Sequence, residues 1–260
     1  MTQPTAVILA AGKGTRMNSE LPKVAHTVAS RAMVEWVVDA CRSAGCAKII
    51  LVVGYRQEVV RELFAGDDAN GGGVQFAVQS EQLGTGHAVL SAKDQLQSEI
   101  AADRAPIFVL AGDGPLISGE TLKKLLDRHE SAQNAATMAT STIEDPTGYG
   151  RIVRDSAGKF LEIVEHKNAT PDQLTIREIN PSYYCFNASD LFRALDSVKR
   201  NEASGEYYVT DVPALLLEEG KRVDVVDAVP AEEVLSANTP EQLAQIEAIL
   251  LASTAGDQTR

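Results

Sequence analysis

Three cationic side chains lie close together in a glycine-containing stretch near the amino terminus. Lys13, Arg16 and Lys23 fall within eleven residues, directly after a short apolar run. Gly12 and Gly14 let backbone amides approach an anion closely, and Arg16 can bind a polyphosphate through its planar guanidinium group. The spacing of the glycines alone favours an ordinary turn with solvated cations, because the stretch matches neither GxGxxG nor GxxxxGK[ST].

Other polar residues further along the chain could bind a metal ion or a nucleotide base. Asp113 follows an apolar segment, FVLAG, and a carboxylate at the end of a strand can hold a hard cation. A turn or helix-cap role for Asp113 is about equally compatible with the sequence. Gln79 and Gln82 carry amides that can donate to and accept from a base edge, although single glutamines are usually surface residues.

The whole amino-terminal string carries more information than its glycines. LAAGKGTRM followed by LPK closely resembles the signature of sugar-nucleotide pyrophosphorylases, also called nucleotidyltransferases, in which this loop wraps the triphosphate of the incoming nucleotide. The resemblance implies that Lys13, Arg16 and Lys23 bind phosphates, with Arg16 and Lys23 as the catalytic cations. It also implies that the nucleotide is lined by Leu9, Ala10, Ala11 and Gly12.

Three further strings extend this resemblance, and the first of them resembles one branch of the family. That branch is the bacterial N-acetylglucosamine-1-phosphate uridyltransferases, which in many bacteria form the amino-terminal domain of a bifunctional enzyme. QSEQLGTGHAV resembles the pyrimidine-binding segment, which implies nucleotide contacts from Gln79, Gln82, Gly84 and Thr85. GDGPL resembles the family's Gly-Asp-x-Pro-Leu, whose aspartate binds Mg²⁺ and corresponds to Asp113. SANTPEQLA places Asn238 where the family has its second metal ligand, although Asn238 also suits a simple helix cap.

The sugar side of the site is also implied by resemblance. GYGR, IVEHKNA, REIN and GEYYVTD occur in the order found in the N-acetylglucosamine branch. They imply sugar contacts from Gly150, Glu165 and Asn180, with Tyr208 near the same pocket. Lys167 is a further candidate for the sugar phosphate, and a solvated lysine is the competing interpretation. Without the family, the tyrosines would be interpreted as core aromatics with a polar tip.

The implied reaction converts UTP and N-acetylglucosamine-1-phosphate to UDP-N-acetylglucosamine, a cell-wall precursor, and pyrophosphate, with Mg²⁺ as cofactor. Two departures leave the sugar open: Pro181-Ser182 follows REIN where the family has a small residue and glycine, and Gly114 replaces a bulkier residue. The alternatives are the same chemistry with another pyrimidine nucleotide or sugar phosphate, and a sugar-nucleotide sensor without turnover. A dinucleotide oxidoreductase is disfavoured, because the first loop lacks its third glycine.

Composition limits the partners and the location. The chain has 260 residues, a net charge of −12 and no long apolar run, so we expect small-molecule substrates and neither nucleic acid nor membrane as a partner. Three cysteines without CxxC spacing indicate reduced thiols in the cytoplasm. Many relatives continue into a β-helical acetyltransferase; no hexapeptide repeats occur here, so we expect no acetyltransfer and favour a monomer.

The elements that must position these residues alternate between strand and helix. Apolar runs predict strands at 6–10, 48–53, 74–78, 106–110 and 135–140, and helical patterns occupy 32–44, 57–64, 86–97 and 119–132. Continuous apolar strands predict a Rossmann-like α/β fold with a mainly parallel sheet covered on both faces. Ligands then bind at the carboxyl ends of the strands.

After about residue 141 the pattern changes to an α+β lobe on the same sheet. Strands are predicted at 149–154, 159–165, 182–186 and 222–226, and helices at 188–200, 209–219 and 240–252. We expect one nucleotidyltransferase domain over residues 1–252, with a nucleotide half to about 141, a sugar lobe to about 238 and a closing helix. The polar tail 253–260 is expected to be frayed.

Overall fold

The fold is built on a ten-stranded sheet. The computed structural model describes residues 3–67, 73–102, 104–227 and 229–257. The strands are β1 (Thr5–Ala10), β2 (Thr27–Val28), β3 (Arg31–Ala32), β4 (Lys48–Val53), β5 (Gln75–Val78), β6 (Pro106–Ala111), β7 (Ala136–Thr142), β8 (Gly150–Arg154), β9 (Phe160–Val164), β10 (Glu178–Asn180), β11 (Tyr183–Asn187) and β12 (Val223–Asp227). The helices are α1 (Met33–Ser43), α2 (Gln57–Leu63), α3 (Thr85–Leu90), α4 (Gln97–Ala101), α5 (Gly119–Ser131), α6 (Pro171–Leu174), α7 (Ala188–Leu195), α8 (Val212–Glu218) and α9 (Pro240–Asp257).

The sheet order is β5-β4-β1-β6-β11-β7-β10-β8-β9, and β12 pairs with β7. The nucleotide half, β5-β4-β1-β6, is parallel throughout, whereas β11 lies antiparallel between β6 and β7. The lobe strands β8, β9 and β10 pair in antiparallel fashion. The predicted class, an α/β sheet with an α+β lobe on the same sheet, is therefore confirmed.

Both faces of the sheet are buried at its central strands, which explains why β1, β4 and β6 are continuously apolar. Successive residues of β1 point into different cores: Val7 packs in one cluster, while Ala6 and Ile8 pack in the other. All three are 0% exposed. Helices on each face provide this cover, with α1 and α5 against one core and α7 and α8 against the other.

Several boundaries differ from the sequence prediction. The predicted helix 86–97 is divided, because α3 ends at Leu90 and a 3₁₀ turn precedes α4. Lys48 Nζ donates to the Gln95 carbonyl at 2.7 Å, and the Gln95 amide donates to the Phe76 carbonyl at 2.8 Å, so this segment is tied to the strands. Helix α7 ends at Leu195 rather than at residue 200.

The carboxyl-terminal helix is longer than predicted. α9 continues to Asp257, so the predicted frayed tail is helical as far as that residue, and 258–260 lie outside the described residues. Elongation of an existing helix adds one hydrogen bond for each residue fixed, which explains why a polar sequence can extend it. Within the described ranges, none of the helices has the length and apolar character that crossing a bilayer requires.

Candidate active site

The cation-bearing loop after β1 folds back onto the end of its own strand. Gly14 has φ +70°, and a Cβ there would lie 2.7 Å from Lys23 Cβ. The backbone N–H of Lys23 donates to the Gly12 carbonyl at 3.4 Å. Glycine adopts this backbone conformation easily and has no Cβ to block the close approach of Lys23. The loop can therefore return Lys23 to the carboxyl edge of the sheet.

Two cations meet two oxygen-bearing side chains at that edge. Lys23 Nζ forms an ion pair with Asp113 and donates to Asn238 Oδ1 at 2.7 Å. Arg16 donates to the same Asn238 oxygen at 2.7 Å. The four residues come from three distant parts of the chain: the β1 loop, the end of β6 and the segment before α9.

Hydrogen bonds orient the Asn238 side chain. Its Nδ2 donates to Ser236 Oγ at 3.1 Å, so its Oδ1 faces the cations. Its backbone N–H donates to Gln242 Oε1 at 2.8 Å, while the Ala237 N–H donates to the Asp113 carbonyl at 3.2 Å. These contacts attach the start of α9 to the end of β6, where the Asp113 and Asn238 side chains both contact Lys23 Nζ.

Three adjoining cavities run along this edge. The central one, about 240 Å³, is lined by Leu9, Lys23, Asp113 and Glu165 among others. It shares Leu9, Gly12 and Thr85 with a cavity of about 200 Å³ on one side. It shares Asp113, Glu165 and Ser182 with a cavity of about 160 Å³ on the other side. The arrangement is one cleft with a charged centre and two arms.

The first arm contains the glutamine-rich segment. Gln79, Gln82, Gly84 and Thr85 line it, together with Ala11. The Gln79 amide, 5% exposed, donates to the Gly84 carbonyl at 3.0 Å, which fixes the side chain against its own loop. Ala11 closes the arm at the end of β1.

A segment from the lobe packs against this loop. The Gly86 N–H donates to the Tyr207 carbonyl at 2.8 Å, and the Tyr207 N–H donates to the Leu83 carbonyl at 2.8 Å. The Val209 N–H donates to Thr85 Oγ1 at 3.0 Å. The strings EQLGTGHA and GEYYVTD, which are far apart in sequence, therefore form one wall of the cleft.

The second arm contains residues that the sequence predicts to contact the sugar. Gly150, Glu165 and Asn180 line it, alongside Asp113 and Asn238. Asn180, 4% exposed, donates from Nδ2 to the Tyr184 hydroxyl at 2.6 Å. Burial raises the pKa of Glu165, even though this carboxylate accepts a hydrogen bond from Thr210 Oγ1 at 3.2 Å.

Five predicted site residues are absent from the cavity walls described above. One is Arg16, which contacts the charged centre through Asn238 Oδ1. Ala10 is 1% exposed and packs in the core. Lys13 Nζ lies 5.1 Å above the centre of the Tyr55 ring, rather than beside Lys23. Lys167 forms an ion pair with Glu206 at 2.8 Å. Tyr208 is buried beneath Lys167 and donates to Ser204 Oγ at 2.6 Å.

Three polar residues of the central cavity were not predicted as site residues from the sequence: Ser182, Tyr184 and Thr210. Thr210 belongs to the GEYYVTD string and donates to the Glu165 carboxylate, so the string itself was an available signal. Tyr184 looked like any other core aromatic, and its hydroxyl belongs to the site because Asn180 donates to it.

The unusual Gly114 has a local explanation. A Cβ on Gly114 would lie 2.5 Å from the Tyr183 hydroxyl, which itself donates to the Glu233 carbonyl at 3.0 Å. Tyr183 is 1% exposed. The tyrosine therefore occupies the space into which a side chain at position 114 would project.

Comparison with known proteins agrees with this architecture. The chain is 43% identical over 250 residues to the bifunctional protein GlmU of Pelobacter propionicus, which covers 96% of this chain and 53% of that protein. It is 46% identical over 250 residues to the bifunctional protein GlmU of Heliobacterium modesticaldum, with 96% and 52% covered. The chain thus spans about half the length of these curated relatives.

Solved structures share the fold at much lower sequence identity. A crystal structure of UDP-glucose pyrophosphorylase complexed with UDP-glucose superposes with a TM-score of 0.75 at 16% identity, covering 97% of this chain and all of that one. The apo form of UDP-glucose pyrophosphorylase gives a TM-score of 0.77. Residues 5–229 match the sequence model of the family described as nucleotidyl transferase. The chain belongs to the nucleotidyl transferase family.

Proposed function

We propose that the chain transfers UMP from UTP to N-acetylglucosamine-1-phosphate, giving UDP-N-acetylglucosamine and pyrophosphate. The observation that carries this proposal is the meeting of Arg16, Lys23, Asp113 and Asn238 between two arms of one cleft. The arm with Gln79, Gln82, Gly84 and Thr85 is suited to a nucleoside. The opposite arm, with Gly150, Glu165 and Asn180, is suited to a sugar.

The two cations supply electrostatic stabilisation where the triphosphate would lie. A phosphate oxygen of the sugar phosphate attacks the α-phosphorus of UTP in line, and pyrophosphate leaves. That oxygen is already anionic near neutral pH, so no general base is needed. Arg16 and Lys23 neutralise the charge that develops on pyrophosphate, and the cleft holds both substrates in position.

The same centre fits a divalent cation. Asp113 and Asn238 present two oxygen ligands to one position, where the Lys23 ammonium now lies, and carboxylate and amide oxygens suit Mg²⁺. We propose that these two residues hold Mg²⁺, which when bound neutralises phosphate charge. Lys23 would then turn from Asp113 to the phosphates.

Sugar recognition would come from groups that already have fixed orientations. The Asn180 amide is held by Tyr184, and the Glu165 carboxylate is held by Thr210, so each can meet a sugar hydroxyl with little further ordering. The raised pKa of Glu165 reflects the partial burial of its carboxylate. A hydrogen bond from a sugar hydroxyl to this carboxylate is correspondingly strong.

Lys167 is not positioned to act on the sugar phosphate while it remains paired with Glu206. Its proposed phosphate contact therefore requires that this ion pair break when substrate binds. Ala10 would contribute to the nucleotide site only through its backbone, and Lys13 only after leaving the Tyr55 ring.

The test is pyrophosphate release with UTP, Mg²⁺ and N-acetylglucosamine-1-phosphate, with EDTA as the control. Parallel reactions contain glucose-1-phosphate, dTTP or CTP. Release with the first pair alone, abolished by EDTA, is the expected result. Turnover only with another pair would support the proposed nucleotidyl transfer but show that the proposed substrates are wrong. Nucleotide binding without any turnover would favour a sugar-nucleotide sensor.

Location and assembly are part of the same proposal. The three cysteines are free thiols, which suits a reducing compartment, and we propose the cytoplasm. The monomeric state and the absence of nucleic-acid and membrane partners stay predictions, and size-exclusion chromatography with light scattering would test the first.

A further inference from the structure

Ser182 adopts a backbone conformation that usually belongs to glycine. Its φ is +65°, in the left-handed region, where a Cβ crowds the backbone. Glycine would avoid this cost in free energy. A non-glycine residue held in such a conformation is evidence of a constraint elsewhere, and such residues are common at ligand sites.

The residue lies between the charged centre and the sugar-side arm. It lines the central cavity with Asp113 and Glu165, and it lines the second arm with Asn180 and Asn238. It is absent from the wall of the nucleoside-side arm. A ligand group that touches Ser182 therefore belongs to the sugar phosphate and not to the base.

The backbone of this segment does not itself require a serine. The Ser182 N–H donates to Asn180 Oδ1 at 3.1 Å, which helps to orient that amide, and a glycine would supply the same donor. What the serine adds is its hydroxyl, which partly offsets the rise that burial causes in the pKa of Tyr184. A hydroxyl can donate one hydrogen bond and accept two, so capacity for a ligand remains.

We propose that the Ser182 hydroxyl contacts the bound sugar phosphate and determines part of the affinity for that substrate. This inference rests on the proposed function. The substrate class is a sugar 1-phosphate with hydroxyl or amide groups near the ring, whose polar atoms replace water at Ser182. The strained serine is then retained for a contact that glycine could not make.

The experiment compares Ser182→Ala and Ser182→Gly with a matched control, Ser30→Gly. Ser30 has φ +66° and is exposed in the turn between β2 and β3, so it offers the same residue and conformation away from the cleft. Both Ser182 variants should raise the KM for N-acetylglucosamine-1-phosphate about threefold to tenfold, the value of one hydrogen bond. The KM for UTP should stay unchanged, kcat should change less than the KM, and Ser30→Gly should match the wild type.

The outcomes separate this inference from the proposed function. An active wild type whose sugar-phosphate KM is unchanged in both Ser182 variants would overturn the Ser182 contact and leave the reaction intact. Equal rises in both KM values would also overturn it, because they indicate a general disturbance of the cleft. A wild type that releases no pyrophosphate with any substrate pair would overturn the proposed function, and the inference with it.

Discussion

Arg16 is exposed, and its guanidinium donates to the side-chain oxygen of Asn238 at 2.7 Å. Arg16→Ala should lower kcat about a hundredfold, because it removes the charge that we propose stabilises the leaving group. The melting temperature should change little, since exposed substitutions rarely alter stability by more than about 0.5 kcal/mol. Pyrophosphate release under saturating substrates measures the first effect, and calorimetry measures the second.

A matched control for Arg16 lies on α5, outside the cavity walls of the cleft. Arg128 is an exposed arginine on α5 that pairs with one carboxylate, Asp224, at 2.5 Å. Arg128→Ala should keep the wild-type kcat. Near-normal turnover by a folded Arg16→Ala protein would exclude the phosphate role of that residue.

The Tyr183 hydroxyl limits the size of the side chain that position 114 can hold. Gly114→Ala would place a Cβ 2.5 Å from the Tyr183 hydroxyl and should lower the free energy of unfolding by about 1–3 kcal/mol. Tyr183→Phe removes that oxygen and leaves a Cβ at position 114 about 3.5 Å from the nearest ring carbon, an ordinary contact. The same Gly114→Ala change should therefore cost little in the Phe background.

A double-mutant cycle measures this dependence by urea unfolding. The two substitutions should couple by about 1–2 kcal/mol. Tyr183→Phe alone should cost about 1 kcal/mol, because the Glu233 carbonyl loses its donor. Additive effects of the two substitutions would mean that the hydroxyl is not what keeps position 114 small.

At the scale of elements, the nucleoside-side wall depends on the contact between the start of α3 and residues 205–209. Gly84 has φ +99°, and a Cβ there would lie 2.5 Å from the Tyr207 carbonyl oxygen, an atom of the backbone. Gly84→Ala should therefore push the two segments apart. We expect a raised KM for UTP and a lower free energy of unfolding.

Gly45 is the control for backbone strain alone. It has φ +87°, and a Cβ there would meet nothing within 4 Å. Gly45→Ala should lower the free energy of unfolding by about 1–2 kcal/mol through its left-handed backbone, with an unchanged KM for UTP. An equal KM in the Gly84 and Gly45 variants would contradict the role of this contact in the nucleoside site.

The sequence was most informative where strands are long and motifs are contiguous. The six-residue strands β1, β4 and β6 are buried on both faces, so their apolar runs were visible. The hairpin β2–β3 and the strand β10 have two or three residues each, which is too few to show a period. They depend on partners that only the folded chain brings near.

The same distinction, between contiguous motifs and contacts with distant partners, applies to the candidate active site. Asp113 and Asn238 were predicted to share one centre, because motif order specifies which loop carries each residue. The directions of Lys13 and Lys167 were not predictable, since each turns toward a partner far along the chain, the Tyr55 ring and the Glu206 carboxylate. A long, flexible lysine follows such partners rather than its local sequence.

At the scale of the whole molecule, one buried histidine should link folding to pH. Burial, assisted by the nearby positive charge of Arg104, lowers the pKa of His129 from 6.5 to about 4. His129 is 4% exposed, and its Nδ1 lies 3.0 Å from Thr137 Oγ1. Between these two pKa values the unfolded chain binds a proton that the folded chain does not bind.

The sign follows from that difference in proton binding. The folded state is favoured above pH 6.5, and the free energy of unfolding falls as the pH falls from about 6.5 toward 4. Between pH 7 and pH 5 the contribution of His129 is about 2 kcal/mol. His129→Gln, which keeps a polar side chain beside Thr137 without a titration, should lose about 2 kcal/mol less than the wild type over this range.

Urea unfolding of both proteins at the two pH values measures the effect. Other titrating groups, such as Glu165, whose raised pKa acts in the opposite direction, are present in both proteins and cancel in the comparison. An NMR titration of the His129 ring in the wild type provides an independent check, and the ring should stay neutral at pH 5 in the folded protein. Equal losses of stability in both proteins, or a ring that is protonated at pH 5 while the protein is folded, would show that His129 does not link folding to pH.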